Sequence, residues 1–533
     1  MSNGIEPIEF PELIFAIAGP IGVDTHLISE LLANCLTEVN YEHESIKLSD
    51  EMVKVPIPFR AKPTDSLKLY HWKIDYANAL RKRFNQPDLL ARVALESIRS
   101  RRRSRSGSNR IPVAKLAYII SQLKSPDEVE LLRKVYGRQF ILISAYASEV
   151  DRHQRLTHKL RTELSTNITE ATLAFEASRL MERDASEGDK FGQRLRDTFH
   201  LGDVFIDGLD AKRMQETIHR FIQAFFGRND ITPSKDEYGM YLARSASLRS
   251  ADLSRQVGAA VFSTGGEVIV QGCNEVPKAK GGTYWDLEQP DYRDIKKGLD
   301  PNEERRREIL RDLIERMREA KLLSKKALRI GSDATLIKKL TDKGSSVGVL
   351  ADARLMDLTE YGRVVHAEMS SLCDAARLGK SFKEGVLYCT TFPCHNCTKH
   401  ILAAGIKKVV YLEPYPKSQA KSLHGDEIEI ETETQPEKVP FVPFLGISPF
   451  RYRDVFAKGR RKRKDGTVKD WYRDIPQPML EVVFPSYFLT ETWALAPLVG
   501  RVETIKTDMA KKDARKPRRP SRTNATSKRP HTR

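Results

Sequence analysis

The strongest constraint on this 533-residue chain is a pair of short motifs, His366-Ala367-Glu368 and Pro393-Cys394-His395-Asn396-Cys397. Two thiols, an imidazole and a carboxylate in this pattern call for a fold that gathers them around one point. Zn²⁺ suits two thiolates and an imidazole, whereas Mg²⁺ and Ca²⁺ want oxygen ligands. A structural zinc site closes with four protein ligands, and a catalytic one keeps three and an open position. His366, Cys394 and Cys397 are the candidate metal ligands. His395 and His400 are alternative fourth ligands for a structural site, but neither gives Glu368 a role. Glu368 can reach the open position without ligating the metal. That is the place of a general acid-base.

The flanking residues say how the motifs are presented. Met369, Leu372 and Ala376 recur at helical spacing after His366, and Gly379 ends the run. Val386 to Thr390 reads as a strand. Pro393 is expected to open a second helix at its first turn, where proline costs least. That helix runs to Gly405, and Lys407 to Leu412 form the next strand. Both metal-binding motifs therefore start at helix N-termini, whose partial positive charge favours thiolate over thiol.

Upstream, Ser254 to Val261, a turn at Ser263-Thr264-Gly265-Gly266, and Glu267 to Gly272 predict a hairpin. Cys273-Asn274-Glu275-Val276-Pro277 follows. With the H-x-E…P-C-x-x-C pattern, these residues resemble the deoxycytidylate deaminase family. There a Gly-Tyr-Asn-Gly-x-Pro stretch follows the second strand; here Cys273 and Glu275 replace the tyrosine and the second glycine. The match from His366 to Tyr415 includes Ala-Ala-Arg and Ala-Gly-Ile-Lys-Lys-Val-Val-Tyr. The resemblance implies zinc as cofactor, Glu368 as the catalytic proton carrier and Asn274 as the residue holding the nucleoside sugar. A phosphate on such a substrate needs cationic or backbone donors. Arg255, Lys417 and Ser418 are the candidates.

The N-terminal half reads as a second α/β unit. Leu13 to Ala18 is a short buried-strand signal, followed by Gly19-Pro20-Ile21-Gly22-Val23-Asp24-Thr25 and a helix with Leu27, Ile28, Leu31 and Leu32. Strand, glycine turn and helix is the setting of a phosphate-binding loop. The loop is degenerate: Asp24, Thr25 and His26 stand where a Walker motif has glycine, lysine and serine or threonine. Gly19, Gly22 and Thr25 remain candidate nucleotide contacts through backbone donors. Ser125 to Gly137 is a capped helix and Gln139 to Ala145 a strand. The alternation predicts a mainly parallel sheet.

A degenerate kinase-like unit joined to a deoxycytidylate-type deaminase resembles the bacterial anti-phage dCTP deaminases. The expected class is α/β. Residues 1–228 form a P-loop, nucleotide-kinase-like parallel-sheet domain. Residues 229–490 form a cytidine-deaminase-like three-layer α/β/α domain with a helical insertion at about 278–360, where residues 301 to 327 predict one amphipathic helix. Residues 491–533 form a basic, disordered tail. The resemblance implies deamination of dCTP and dCMP, depletion of the deoxycytidine nucleotide pool during infection, restraint by a small RNA in some members, and a homo-oligomer. The alternatives are a polynucleotide cytosine deaminase, or an RNA-binding regulator with an inert deaminase fold.

Composition limits these readings. No window approaches the ~20 apolar residues of a membrane span, and no secretory leader precedes the first strand. Six cysteines, two of them assigned to zinc, suggest no disulfide framework and point to a reducing cytoplasm. The formal net charge is +17. It concentrates in residues 501–533, in the run Arg99 to Arg110, and in Arg460-Arg461-Lys462-Arg463-Lys464. Together these clusters predict salt-sensitive contact with a polyanion, RNA above all.

Overall fold

The computed structural model describes residues 8–164, 168–188, 190–342, 348–351, 353–358, 360–471 and 475–498. Two six-stranded sheets organise them. The first contains β1 (Leu13–Ala18), β2 (Glu42–Lys47), β3 (Leu116–Ser121), β4 (Phe140–Tyr146) and β5 (Val204–Asp207), all parallel. With the antiparallel β12 (Gly446–Ile447) at one edge, its order is β12-β5-β4-β1-β3-β2. β1 and β4 are almost continuously buried, as expected of strands covered on both faces. Ile14, Ala16 and Ala18 point into one core with Tyr118 and Leu142; Leu13, Phe15 and Ile17 point into the other with Ile141 and Ile143.

The second sheet contains β6 (Gly258–Phe262), β7 (Val268–Cys273), β8 (Val386–Thr391), β9 (Lys408–Glu413), β10 (Ile428–Ile430) and β11 (Val439–Pro443). Its order is β10-β11-β9-β8-β6-β7. The expected hairpin β6–β7 is antiparallel, with a register shift at Val261/Phe262. β8, β9, β11 and β10 run parallel. Helix Lys235–Ser247 covers one face; Ala367–Arg377 and His395–Ala403 cover the other. The first of these needs Gly258, because a Cβ there would lie 2.0 Å from Ala243 O. The chain is thus mixed α/β, with two parallel-dominated sheets.

The sheets are joined by a buried carboxylate. Glu237 closes a capping box with Ser234, takes two hydrogen bonds from Arg220 at 2.6 and 2.8 Å, and accepts from Ile447 N at 2.9 Å. Ile447 lies in β12 (Gly446–Ile447), which pairs antiparallel with β5 of the first sheet. Phe205 of β5 packs with Met240, Tyr388, Val410 and Phe444 in one cluster.

Three expectations change here. The chain returns to the first sheet at Gly446, before the expected boundary at 490. Arg451 then binds Asp203 at 3.0 Å, beneath the first sheet's edge. Residues 487–498 are helical, so the expected disordered stretch does not begin at 491; Tyr487, Leu495 and Leu498 are buried in the first core. The rest of the basic tail, 499–533, lies outside the described residues. The helix expected over 301 to 327 is broken: Pro301–Glu319 ends where Lys321 takes φ +56°, and Lys325–Leu328 is a separate turn. Leu310 and Ile314 pack on Leu336 and Ile337 of Asp333–Thr341, a small cluster of their own.

The arginine run at Arg99 is also not the solvated basic cluster that its sequence suggests. It is the last part of helix Leu89–Ser106. Arg102 is fully buried between Glu12 and Glu491 at 2.9 Å from each. Arg101 meets Glu44 and Glu51, and Arg105 meets Glu42 and Glu44. Carboxylates distant in sequence thus pair with three of its arginines.

Candidate metal centre

His366 is the N-cap of helix Ala367–Arg377, and Cys394 is the N-cap of His395–Ala403. Cys394 has extended backbone, φ −69° and ψ 163°, and its sulfur accepts from Cys397 N at 3.4 Å. This sulfur cap places Pro393 before the helix and not in its first turn, where it was expected. Gly272 sets the other helix. A Cβ on Gly272 would stand 2.6 Å from both Ala367 O and Ser371 N, so β7 touches the helix start backbone to backbone. Main-chain hydrogen bonds of 3.2 and 3.0 Å between Glu275 and Val365 hold the residue just before His366.

His366 Nδ1 lies 3.3 Å from Cys394 Sγ and 3.4 Å from Cys397 Sγ. The three donor atoms fall within 4.8 Å of one another, and among the described residues no other such group converges. Ordinary Zn–S and Zn–N lengths in a tetrahedron separate sulfur from nitrogen by about 3.5 Å. The residues therefore fit zinc in both donor type and spacing, and neither His395 nor His400 joins the group.

Protonation follows the same geometry. The Cys397 thiol, then the imidazole, hold the Cys394 thiol down to about 4. Cys397 is pushed well above the ordinary thiol value, first by its bond to Cys394 and then by burial. The Cys394 sulfur raises His366 to about 9 against the effect of burial. Metal binding displaces these protons. Glu368 is 4 % exposed. Burial raises its carboxyl above the usual range, and the imidazole opposes that shift. A carboxyl raised in this way holds a proton more readily than an exposed one, which suits a group that takes up and returns one.

The other expected contacts are less free. Asn274 is 4 % exposed and clamps the loop before β6. Its Nδ2 donates to Asp252 and to Arg255 O, both at 2.5 Å, and its Oδ1 accepts from Val257 N at 2.7 Å. Both donors are engaged, which leaves one lone pair on Oδ1 for a hydroxyl. Arg255 pairs with Glu413 at 3.1 Å, beside the Tyr415 ring. Lys417 pairs with Asp357 at 2.5 Å. Ser418 donates to Pro393 O at 2.9 Å, bracing the turn that carries Cys394.

The sequence reading did not single out Asp252, and it noted Glu275 only as a replacement for the family's second glycine, without a role. Glu275 is 1 % exposed and accepts from Ala251 N at 2.9 Å, tying the same loop to the strand before His366. Its presence where the family has glycine was the available signal.

The glycine loop is not the open cradle that Gly19, Gly22 and Thr25 suggested. Asp24 caps helix Thr25–Glu38 and takes the amides of His26 and Leu27. Asp184, from helix Glu170–Ala185 and 3 % exposed, takes Ile21 N at 2.7 Å. Lys124 bridges Asp184 at 2.8 Å and Gly19 O at 2.7 Å. A Cβ on Gly22 would lie 3.1 Å from Arg152 O, so the space beside the loop is filled by backbone. The chain's own carboxylates take the donors that a phosphate would use.

Residues 233–413 match the family described as the cytidine and deoxycytidylate deaminase zinc-binding region. Deoxycytidylate deaminases of Enterobacteria phages T2 and T4 are each 44 % identical over 55 residues, 10 % of this chain and 29 % and 28 % of theirs. A cytosine deaminase of Candida albicans is 33 % identical over 96 residues, 16 % of this chain and 63 % of that protein. The chain thus spans under a third of the length of the phage relatives. Among solved structures, the dCMP deaminase of cyanophage S-TIM5 in complex with dCMP and dUMP is similar at 17 % identity. The match covers 40 % of this chain and 98 % of that one, with a TM-score of 0.22. Among the described residues no helix is long and apolar enough to cross a membrane. Residues 233–413 of this chain are thus similar to the zinc-binding region of cytidine and deoxycytidylate deaminases.

Proposed function

We propose that the chain is a zinc-dependent hydrolytic deaminase of free deoxycytidine nucleotides, converting dCTP and dCMP to dUTP and dUMP. The observation that carries this reading is the convergence of His366, Cys394 and Cys397 at two helix starts with the buried carboxyl of Glu368 beside them. Zinc held there supplies a Lewis acid that lets water ionise near neutral pH. Glu368 takes a proton from the attacking water and delivers protons to the ring nitrogen and the amine. Water adds at C4 of the cytosine, the C4–N bond breaks, and ammonia leaves with uracil as product.

Asn274 offers its remaining Oδ1 lone pair to a sugar hydroxyl, with the amide held in orientation by Asp252, Arg255 O and Val257. Arg255 and Lys417 exchange Glu413 and Asp357 for phosphate oxygens. Ser418 supports the Cys394 turn through Pro393 O. On the resemblance to anti-phage dCTP deaminases, the reaction drains the deoxycytidine nucleotide pool during infection, in an oligomer of this chain.

Purified protein given dCTP, dCMP, deoxycytidine and a cytosine-containing oligonucleotide tests the reading by mass of products. The expected outcome is a gain of about 1 Da on dCTP or dCMP, because OH replaces NH₂ at C4 and tautomerisation to the uracil form leaves the mass unchanged. Conversion of the oligonucleotide alone would replace this proposal with polynucleotide editing.

A further inference from the structure

The second basic run differs from the first. Arg460 to Lys464 enter a hairpin closed by the Lys462–Val468 bridge, with Lys469 N donating to Arg461 O at 3.0 Å and Arg463 N to Thr467 O at 2.8 Å. The hairpin's one acid, Asp465, is engaged by Thr467 at its turn. Among the described residues, no carboxylate forms an ion pair with Arg460, Arg461, Lys462, Arg463, Lys464 or Lys469. The run at Arg99, by contrast, pairs Arg101, Arg102 and Arg105 internally.

Arg460, Arg461 and Lys469 line a cavity of about 240 Å³ together with Asn229 and Trp471. Asp470 is the one acid among the described residues of the lining. The cavity's frame is built, not fluid. Trp471 Nε1 donates to Phe226 O at 2.9 Å, and Asn229 Nδ2 donates to Lys469 O at 2.7 Å. These bonds tie the hairpin to the connection between helix Ala211–Phe225 and helix Lys235–Ser247, the link between the two sheets' units. Three cations held around one cavity repel each other, and among the described residues no ion pair to a carboxylate relieves them. An anion of several charges relieves the repulsion and gains charge-assisted hydrogen bonds. The volume lies below the ~300 Å³ at which pockets take drug-sized ligands, which favours a compact chain of phosphates over a sugar and base.

We propose that this cavity is a polyphosphate-binding site, separate from the zinc centre. Its ligand chemistry is that of inorganic triphosphate or the triphosphate moiety of a nucleotide.

The test is calorimetric titration of the full-length, zinc-loaded protein with sodium triphosphate, with dTTP, and with a short oligonucleotide. Arg460→Glu/Arg461→Glu serves as the variant; both residues are exposed, so folding is spared. Saturable binding of one triphosphate per chain is expected, weakened about tenfold or more in the double variant with deamination unchanged. Binding of dTTP alongside triphosphate would identify a nucleotide as the source; triphosphate alone would identify the free anion. Three results overturn the proposal: triphosphate affinity equal in wild type and variant, no binding of triphosphate, or arginine-dependent binding of the oligonucleotide alone. A variant that keeps its triphosphate affinity but loses deamination is a case of the first result, and its lost turnover points to a fault at the zinc centre and not at this cavity.

Discussion

Each half of the chain leads a strand through a short loop into a helix, and the two loops have opposite contents. After β8, the loop ends in a sulfur cap. Three donors from two helix starts face each other there within 4.8 Å. After β1, the glycine loop is already satisfied: Asp24 and Asp184 take its amides, and Lys124 balances Asp184. Both loops exploit the donors and the field at a helix N-terminus. One leaves them organised around a point, and the other closes them with internal carboxylates. Similar local architecture therefore does not imply a second nucleotide site.

The largest expected effect sharpens the first side of this contrast. Glu368→Gln should lower kcat on the deaminated nucleotide about 10³-fold while zinc content stays at one per chain. Substantial turnover in that variant would remove Glu368 from the proton path. Cys397→Ala should release zinc, read by elemental analysis of the purified protein, and abolish turnover. A variant that retains stoichiometric zinc and full activity would break the assignment of the three ligands.

The other side is tested by stability. Asp184→Ala strips Lys124 and Ile21 N of a buried partner and should cost about 1–3 kcal/mol in urea unfolding, with deamination per folded molecule unaltered. If it instead abolished deamination, the glycine loop would be part of the catalytic machinery and the contrast would fail. The smallest effect belongs to Gly22→Ala. A side chain at φ +98° against Arg152 O should cost about 1–2 kcal/mol. No measurable loss would mean that the loop is looser than its packing indicates.

Legibility followed the range of the interactions. His366, Glu368, Cys394 and Cys397 could be read because their order and short spacing are themselves the chemistry. The hairpin β6–β7 could be read because its turn residues lie between its strands. Arg102 could not: nothing near it announces that Glu12 and Glu491 will enclose its charge. Asp184 carried no signal for the same reason, since Ile21 is far away along the chain. Asn274 was recognised, but not the saturation of its amide donors by Asp252 and Arg255 O.

The sequence alone determined the donor types, the carboxyl that accompanies them and the helices that begin at them, because these depend on neighbours within a few residues. Only the tertiary structure decided which charges remain available. It closed the glycine loop, paired Arg101, Arg102 and Arg105 of the run at Arg99, and left the run at Arg460 without an ion pair among the described residues. It also returned β12 to the first sheet and Tyr487, Leu495 and Leu498 to its core. The physical reason is that a charge is silenced by whichever opposite charge folding brings within about 4 Å, and that partner can lie anywhere in the chain.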